Sequence, residues 1–408
     1  MKELIWSDFP KEEYLERWNR ASQLMEEENV DVLLLTQYEN VRYFSGYLSI
    51  LWLSKFRPLV TILPKDQSIP PSIILPGQER GNSLTSWIDD VIIYSDQVDP
   101  IPYISECLKK KGFSRATIGA ELGFGQRLGC TYHQFGELKA RLPDAQFVSA
   151  TRLIQEARMH KSPAEVECLR KACEISQKGV RAGWEALQPG ITERELVSIM
   201  VSTMYREGAE AGISPSLYAI RAGRRRNKIG NALPTDTVIQ EGDFVVVDGG
   251  ACYKGYVCDF IRQAFLGNPS KDQLDLFNLT VKANDAAIAS IKPGVTGADV
   301  YEATVKVFEQ AGLGKFSQYN IVGHGIGLEI HELPWLGERD LVYSSDVMLK
   351  PGACLSVEPI ISGLKDLKGT PDPNQETGRF IVEDVVAVTE SGCENLTKSL
   401  SKKLWIKG

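Results

Sequence analysis

Residues 244–265 read FVVVDGGACYKGYVCDFIRQAF, and the two carboxylates in this stretch govern how the rest of the chain is read. Asp248 closes an unbroken apolar strand, a glycine-rich turn follows, and Asp259 lies in the returning strand. An acid at the end of a buried strand is unfavourable unless something pairs with it. If the two strands form a hairpin, both carboxylates converge on one point. Taken singly, each has a plainer explanation: Asp248 as the opening of a turn, Asp259 as a partner for Arg262.

The pattern recurs further along. GACLSVE (352–358) matches GDFVVVD (242–248): a glycine, an apolar strand, and a carboxylate six residues after the glycine, here Glu358. Glu383 follows inside RFIVEDVVAV (379–388). Upstream of these strands, PGITERELVSIMVSTMYREGAE (189–210) resembles PGVTGADVYEATVKVFEQAGLG (293–314). Each has Pro-Gly, a β-branched residue, then a threonine cap with an acid three residues on and an apolar helix. This half-repeat predicts two similar αβ units related by a pseudo-twofold, each offering acids from buried strands.

IVGHGIGLEIHELP (321–334) adds His324 and His331, two of the four histidines in the chain. His324 stands between glycines, which offer a core histidine little to pack against. With Asp248, Asp259, Glu358 and Glu383 it makes five candidate ligands, four hard oxygens and one imidazole. Four converging carboxylates repel one another unless cations intervene. Such a donor set suits manganese, cobalt, iron or zinc. Two ions about 3.5–4 Å apart can hold a bridging hydroxide.

The remainder of the chain bounds the reading. At 408 residues it fits two domains, and 43% hydrophobic with 24% charged residues is a globular composition. A net charge of −7 speaks against a general affinity for nucleic acid or an anionic membrane. The run Arg224-Arg225-Arg226 is a local exception, read as a solvated loop or an anion contact. No secretory signal is visible in MKELIWSDFPKEEYLERW and no apolar run approaches the roughly 20 residues that span a bilayer, so neither a secreted nor a membrane-spanning protein is expected. The eight cysteines contain no CxxC pair, so they are expected as buried free thiols in a reducing compartment, with the cytoplasm as default.

Residues 10–28 place Tyr14, Trp18, Ala21 and Met25 on one helical face, and alternating strands and helices to about residue 157 suggest a small α/β domain. A new unit starts with MHKSPAEVECLRKACEISQKGVRAGWEAL, where Ser162 caps a helix, Pro163 takes its first position and Glu165 completes a capping box. The expected division is 1–157 and 158–408.

The order Asp, Asp, GHGIGLxxHExP, Glu-Pro, Glu-Asp resembles the creatinase/aminopeptidase P/prolidase family of pita-bread hydrolases. LLLTQYENVRYFSGY and MHKSPAEVECLRKA resemble that family's N-terminal domain and domain junction. The resemblance covers nearly the whole chain. It implies an α+β protein: a C-terminal pita-bread catalytic domain with a pseudo-twofold repeat, behind a smaller α/β domain. By position, Asp248, Asp259, His324, Glu358 and Glu383 match the metal ligands of the peptidase branch, and two divalent ions, manganese first, are implied. His331 matches the histidine that contacts the scissile carbonyl. Glu358 would also shuttle the proton from the bridging water to the leaving nitrogen.

Two positions depart from the family pattern. Its peptidases usually carry a histidine in HxxPTD, where NALPTD (231–236) has Asn231, an amide that cannot relay a proton. An arginine is usual two residues before the last ligand, where this chain has Ile381 and, two residues earlier, Arg379. The leading expectation is therefore an Xaa-Pro dipeptidase or aminopeptidase acting on a small peptide. The alternatives are a creatinase-like hydrolase of a small non-peptide C–N bond, and a binding protein without turnover. The family commonly dimerises with the small domain of one subunit beside the other's site. In such a homodimer, Arg57 in LSKFRPLV could meet a substrate carboxylate.

Overall fold

The computed structural model describes residues 3–210, 219–317 and 319–408, Arg224 without its side chain. The chain divides into two compact units, Met1–Arg158 and Met159–Gly408.

The first unit is built on a six-stranded mixed sheet. Its strands are β1 (Val32–Leu35), β2 (Val60–Pro64), β3 (Ser72–Pro76), β4 (Asp90–Tyr94), β5 (Thr117–Ala120) and β6 (Gln146–Ser149), in the order β4-β3-β2-β1-β5-β6. β1, β5 and β6 run parallel, while β2 pairs antiparallel with both β1 and β3. Helices α1 (Lys11–Glu27), α2 (Tyr38–Ser45), α3 (Ile101–Lys110), α4 (Tyr132–Arg141) and α5 (Thr151–Met159) accompany it. The face expected on the first helix is the buried one: Tyr14, Trp18, Ala21 and Met25 are all enclosed.

The second unit carries the half-repeat, and the repeat is visible hydrogen bond by hydrogen bond. A long helix opens each half, α6 (Pro163–Ala186) and later α9 (Lys271–Ser290), both with a serine capping box. Helices α7 (Glu193–Arg206) and α10 (Gly297–Gln310) follow, capped by Thr192 and Thr296 with their acids three residues on. Thr192 bridges to Val238 as Thr296 bridges to Met348. Gly190 N donates to Ile239 O as Gly294 N donates to Leu349 O, each at 2.9 Å.

The first half then forms β7 (Ala219–Ala222), a one-turn helix α8 (Gly223–Arg226), β8 (Phe244–Gly249), a two-stranded ribbon of β9 (Cys252–Tyr253) and β10 (Tyr256–Val257), and β11 (Phe260–Leu266). The second half forms β12 (Ile321–Gly325), β13 (Glu332–Gly337), β14 (Cys354–Val357), β15 (Ile360–Ser362), β16 (Arg379–Ile381), β17 (Asp384–Val388) and β18 (Cys393–Asn395). With the C-terminal β19 (Trp405–Lys407), the main sheets are ordered β19-β11-β8-β7 and β13-β12-β14-β17-β18. In each, a central strand of the repeat, β8 or β14, has antiparallel neighbours on both sides. The mixture of helix and sheet in two domains is the α+β architecture expected. Among the described residues no helix is long and apolar enough to cross a membrane.

Candidate functional site

Both halves present their acids at the ends of a central strand pair. Asp248 is the penultimate residue of β8, opposite Ala219 of β7 and Ile261 of β11. Asp259 stands one residue ahead of β11 rather than inside it, and the ribbon β9–β10 replaces the simple turn anticipated between the two acids. In the second half Glu358 follows the last residue of β14 and Glu383 directly precedes β17. Arg262 does not pair with Asp259. Its guanidinium lies 2.7 Å from Asp384, in a buried cluster with Lys402.

His324, in β12, is the meeting point. Its Nε2 lies 4.0 Å from Asp259 Oδ2, 3.7 Å from Glu358 Oε1 and 3.9 Å from Glu383 Oε1. Asp259, His324 and Glu383, all buried, offer ligand atoms within 4.8 Å of one another. Its Nδ1 is 2.9 Å from the Gly325 carbonyl. If Nδ1 carries the proton, as that contact requires, Nε2 turns a lone pair toward three carboxylates. Burial lowers the His324 pKa to about 3, helped by His331, so the ring is neutral. The flanking glycines have a packing reason: a Cβ on Gly323 would lie 2.1 Å from Ser356 O, and one on Gly325 would lie 2.2 Å from Leu333 O. Both neighbouring strands press against the histidine's own backbone.

The acids are held at high cost. Burial raises the pKa of Asp259 well above the usual range, and the charges of Asp248 and Glu358 add to it. Glu358 is pushed up to about 8 by burial and then by Asp248, with Arg379 opposing. Burial also raises Glu383, reinforced by Asp259, Glu358 and Asp248. Asp248 is raised by burial too, although Arg221 and Arg379 pull it down. Ser356 Oγ donates to Glu383 Oε1 at 2.5 Å, while Glu383 Oε2 is buried with no hydrogen-bond partner among the described residues. An orphaned carboxylate oxygen, an imidazole lone pair and mutually repelling acids are what a divalent cation would satisfy. The donor set therefore fits such ions.

His331 is exposed, unlike His324, yet the two rings sit 4.4 Å apart between centroids. Trp335 stacks on His331 at 5.6 Å and 23°, which fixes the imidazole plane. Asn231 is exposed in the loop after α8. Arg57 belongs to the first unit, where it lies 3.6 Å from Asp96 Oδ1.

Position 381 is apolar in fact as in sequence: Ile381 packs in a small cluster with Val246, Ile261 and Ile360. Positive charge reaches the acids from elsewhere. Arg379 donates to Tyr319 Oη at 2.7 Å, and Arg221 is a fully enclosed arginine that sequence reasoning passed over. Ser356 was missed as well. Nothing in the local sequence marks it, because its contact with Glu383 depends on β14 lying beside β17. In the basic run, Arg226 makes a two-pronged ion pair with buried Glu193 at 3.0 Å and Arg225 is exposed, while the side chain of Arg224 lies outside the described part.

Two family models match the chain: Metallopeptidase family M24 over residues 167–390, and the Creatinase/Prolidase N-terminal domain over residues 17–160. The Xaa-Pro dipeptidase of Pyrococcus furiosus is 30% identical over 269 residues, which is 66% of this chain and 72% of that protein. The Xaa-Pro dipeptidase of Pyrococcus horikoshii is 26% identical over 384 residues, 94% of this chain and 97% of its own length. Among solved structures, an Xaa-Pro dipeptidase from Bacillus anthracis aligns with a TM-score of 0.80 at 26% identity, covering 96% of this chain and 99% of that one.

Proposed function

Because the chain belongs to metallopeptidase family M24, we propose that its clustered acids hold two divalent cations, manganese by preference, for hydrolysis of an X–Pro peptide bond. As an enzyme of that family it is no silent binding protein. The observation that carries the reading is the convergence of Asp259, Glu358 and Glu383 on His324 Nε2 within 4.0 Å, with Asp248 in electrostatic reach. The matched Pyrococcus and Bacillus proteins bear the name Xaa-Pro dipeptidase, which supports the substrate class.

In this reading Asp248, Asp259, His324, Glu358 and Glu383 are the ligands. Held there, divalent ions would supply positive charge that offsets the acids and lowers the pKa of a water molecule. Glu358 would take the proton of the attacking water as a carboxylate and deliver it to the leaving nitrogen. His331, locked by Trp335, donates a hydrogen bond to the scissile carbonyl as negative charge develops there. Asn231 contacts the substrate from its loop. Eight free thiols support a reducing, cytoplasmic setting. A homodimer is supported by apolar side chains left open beside Arg57: Ile50 is 71% exposed, Leu53 62% and Phe56 91%. Arg57 of one subunit would then meet the substrate in the other.

A second reading, a hydrolase of a small non-peptide C–N bond, is favoured by Asn231 and Ile381, which alter the substrate frame around an intact acid cluster. One screen separates the two. Protein loaded with manganese, cobalt or zinc is assayed on Ala-Pro, on longer X–Pro peptides and on small amides and amidino compounds. Turnover of Ala-Pro at ordinary peptidase efficiency supports the first reading. Inactivity on every X–Pro substrate with all three metals sinks it.

A further inference from the structure

The loop that carries Asn231 is exposed, yet its main chain is tied down on both sides of that residue. Upstream, Arg221 Nη1 donates to Gly230 O at 2.8 Å and approaches Ile229 O at 3.4 Å. Downstream, Ile220 N donates to Ala232 O at 2.9 Å, and Arg226 Nη2 donates to Leu233 O at 2.6 Å. Glu193, wholly buried, accepts from Thr235 N at 3.1 Å and from Arg226. An ordinary surface loop needs no such anchoring. An exposed side chain on a pinned backbone is arranged for presentation.

The anchor also fixes where the loop is presented. Arg221 sits in β7 opposite Val246, and Ala219 two residues away sits opposite Asp248. Directly opposed residues of an antiparallel pair share a face, so Arg221 and Asp248 are diagonal neighbours on one side of the sheet, about 7–8 Å apart at the backbone. Arg221 is only 3% exposed, and among the described residues no carboxylate forms an ion pair with it. Burying a guanidinium in this way is unfavourable, and the carbonyls of the Asn231 loop are what it contacts.

We propose that Arg221 is a positioning residue for substrate recognition: by holding the carbonyls of Ile229 and Gly230 from the strand beside Asp248, it fixes Asn231 at the acid cluster. The proposal rests on the reading that Asn231 contacts substrate. Lysine ends in a compact ammonium where arginine has a rigid, planar guanidinium, so it cannot set a donor at the place of Nη1 against both carbonyls in the same geometry.

The test is a double-mutant cycle on the manganese-loaded full chain with Ala-Pro or the best substrate of the screen. Four proteins are compared: wild type, Arg221→Lys, Asn231→Ala and the double variant. Arg221→Lys is expected to raise KM about tenfold with kcat changed less than about threefold, and to have under a twofold effect in the Asn231→Ala background. Hydrogen exchange gives a second readout: the Ile220 amide, which donates to Ala232, should exchange faster in Arg221→Lys. Equal KM effects in both backgrounds, or an unchanged KM in Arg221→Lys alongside a raised KM in Asn231→Ala, overturn the inference. If Asn231→Ala itself leaves KM unchanged, the reading of Asn231 fails and the inference falls with it. If wild type turns over no substrate, the functional reading fails first.

Discussion

Lys161 Nζ lies 2.7 Å from Glu332 Oε2, with the two side chains only 1% and 6% exposed. The pair joins the segment ahead of α6 to the residue next to His331. Lys161 N also donates to Gly352 O at 2.9 Å, and Glu332 Oε1 accepts from Glu329 N at 3.2 Å. Removing one partner of a buried ion pair strands the other, so Lys161→Met should lower unfolding stability by about 3–5 kcal/mol in urea titration. Lys161→Met with Glu332→Leu should recover most of that loss. A double variant as unstable as the single would show that the ammonium matters for something other than this carboxylate.

The metal-free protein should become less stable as pH rises. Glu358 has a folded-state pKa of about 8, raised by burial and Asp248 from an unfolded value near 4.3. The folded state therefore keeps a proton that the unfolded state has released, and stability falls between those two values. The expected result is a Tm in chelator that declines from pH 5 to pH 8 and a gain from added manganese that widens over the same range. Manganese binding should also release protons. A chelated protein whose Tm is flat or rising across that window contradicts the account of the acid cluster.

The two histidines should fail differently. His324→Ala removes the neutral imidazole at the centre of the acids and should cost metal and activity together. His331→Ala should leave manganese binding nearly intact while lowering kcat roughly 10²–10³-fold, as loss of one transition-state donor does. Calorimetric titration of both variants decides this. Equal loss of metal in the two would collapse the distinction between ligand and carbonyl contact.

Asn231→His discriminates between the substrates. On a peptidase that merely tolerates the amide, the imidazole should preserve or raise kcat/KM for Ala-Pro. On a hydrolase of another C–N compound, the amide's specific hydrogen bond is lost and native turnover should drop at least about tenfold. Because the position is exposed, the substitution carries little risk to folding.

What could be read from the chain, and what could not, divides along a physical line. The capping boxes at Ser162, Thr192 and Thr296 are local chemistry, completed within four residues, and their helices start where the sequence placed them. The repeat was legible for the same reason. The contacts of Ser356, Arg221 and Lys161 depend on which strands become neighbours, and no periodicity within a segment reveals that. The ribbon between Asp248 and Asp259 was missed because strands of two residues carry no alternation to detect. The suggested pairing of Asp259 with Arg262 failed because Arg262 is taken by Asp384, a partner from the second repeat that no local pattern reveals.

The pseudo-twofold arrangement has a consequence for the order in which a ribosome delivers the chain. Asp248 and Asp259 come from the first repeat, Glu358 and Glu383 from the second, and the central imidazole is residue 324. A growing chain that has not yet reached Glu383 lacks the full quartet. A chain made only as far as the first repeat carries two of the acids, and a centre needing all four cannot form from it. Nascent polypeptides nearby are thus out of its reach until both repeats have been made.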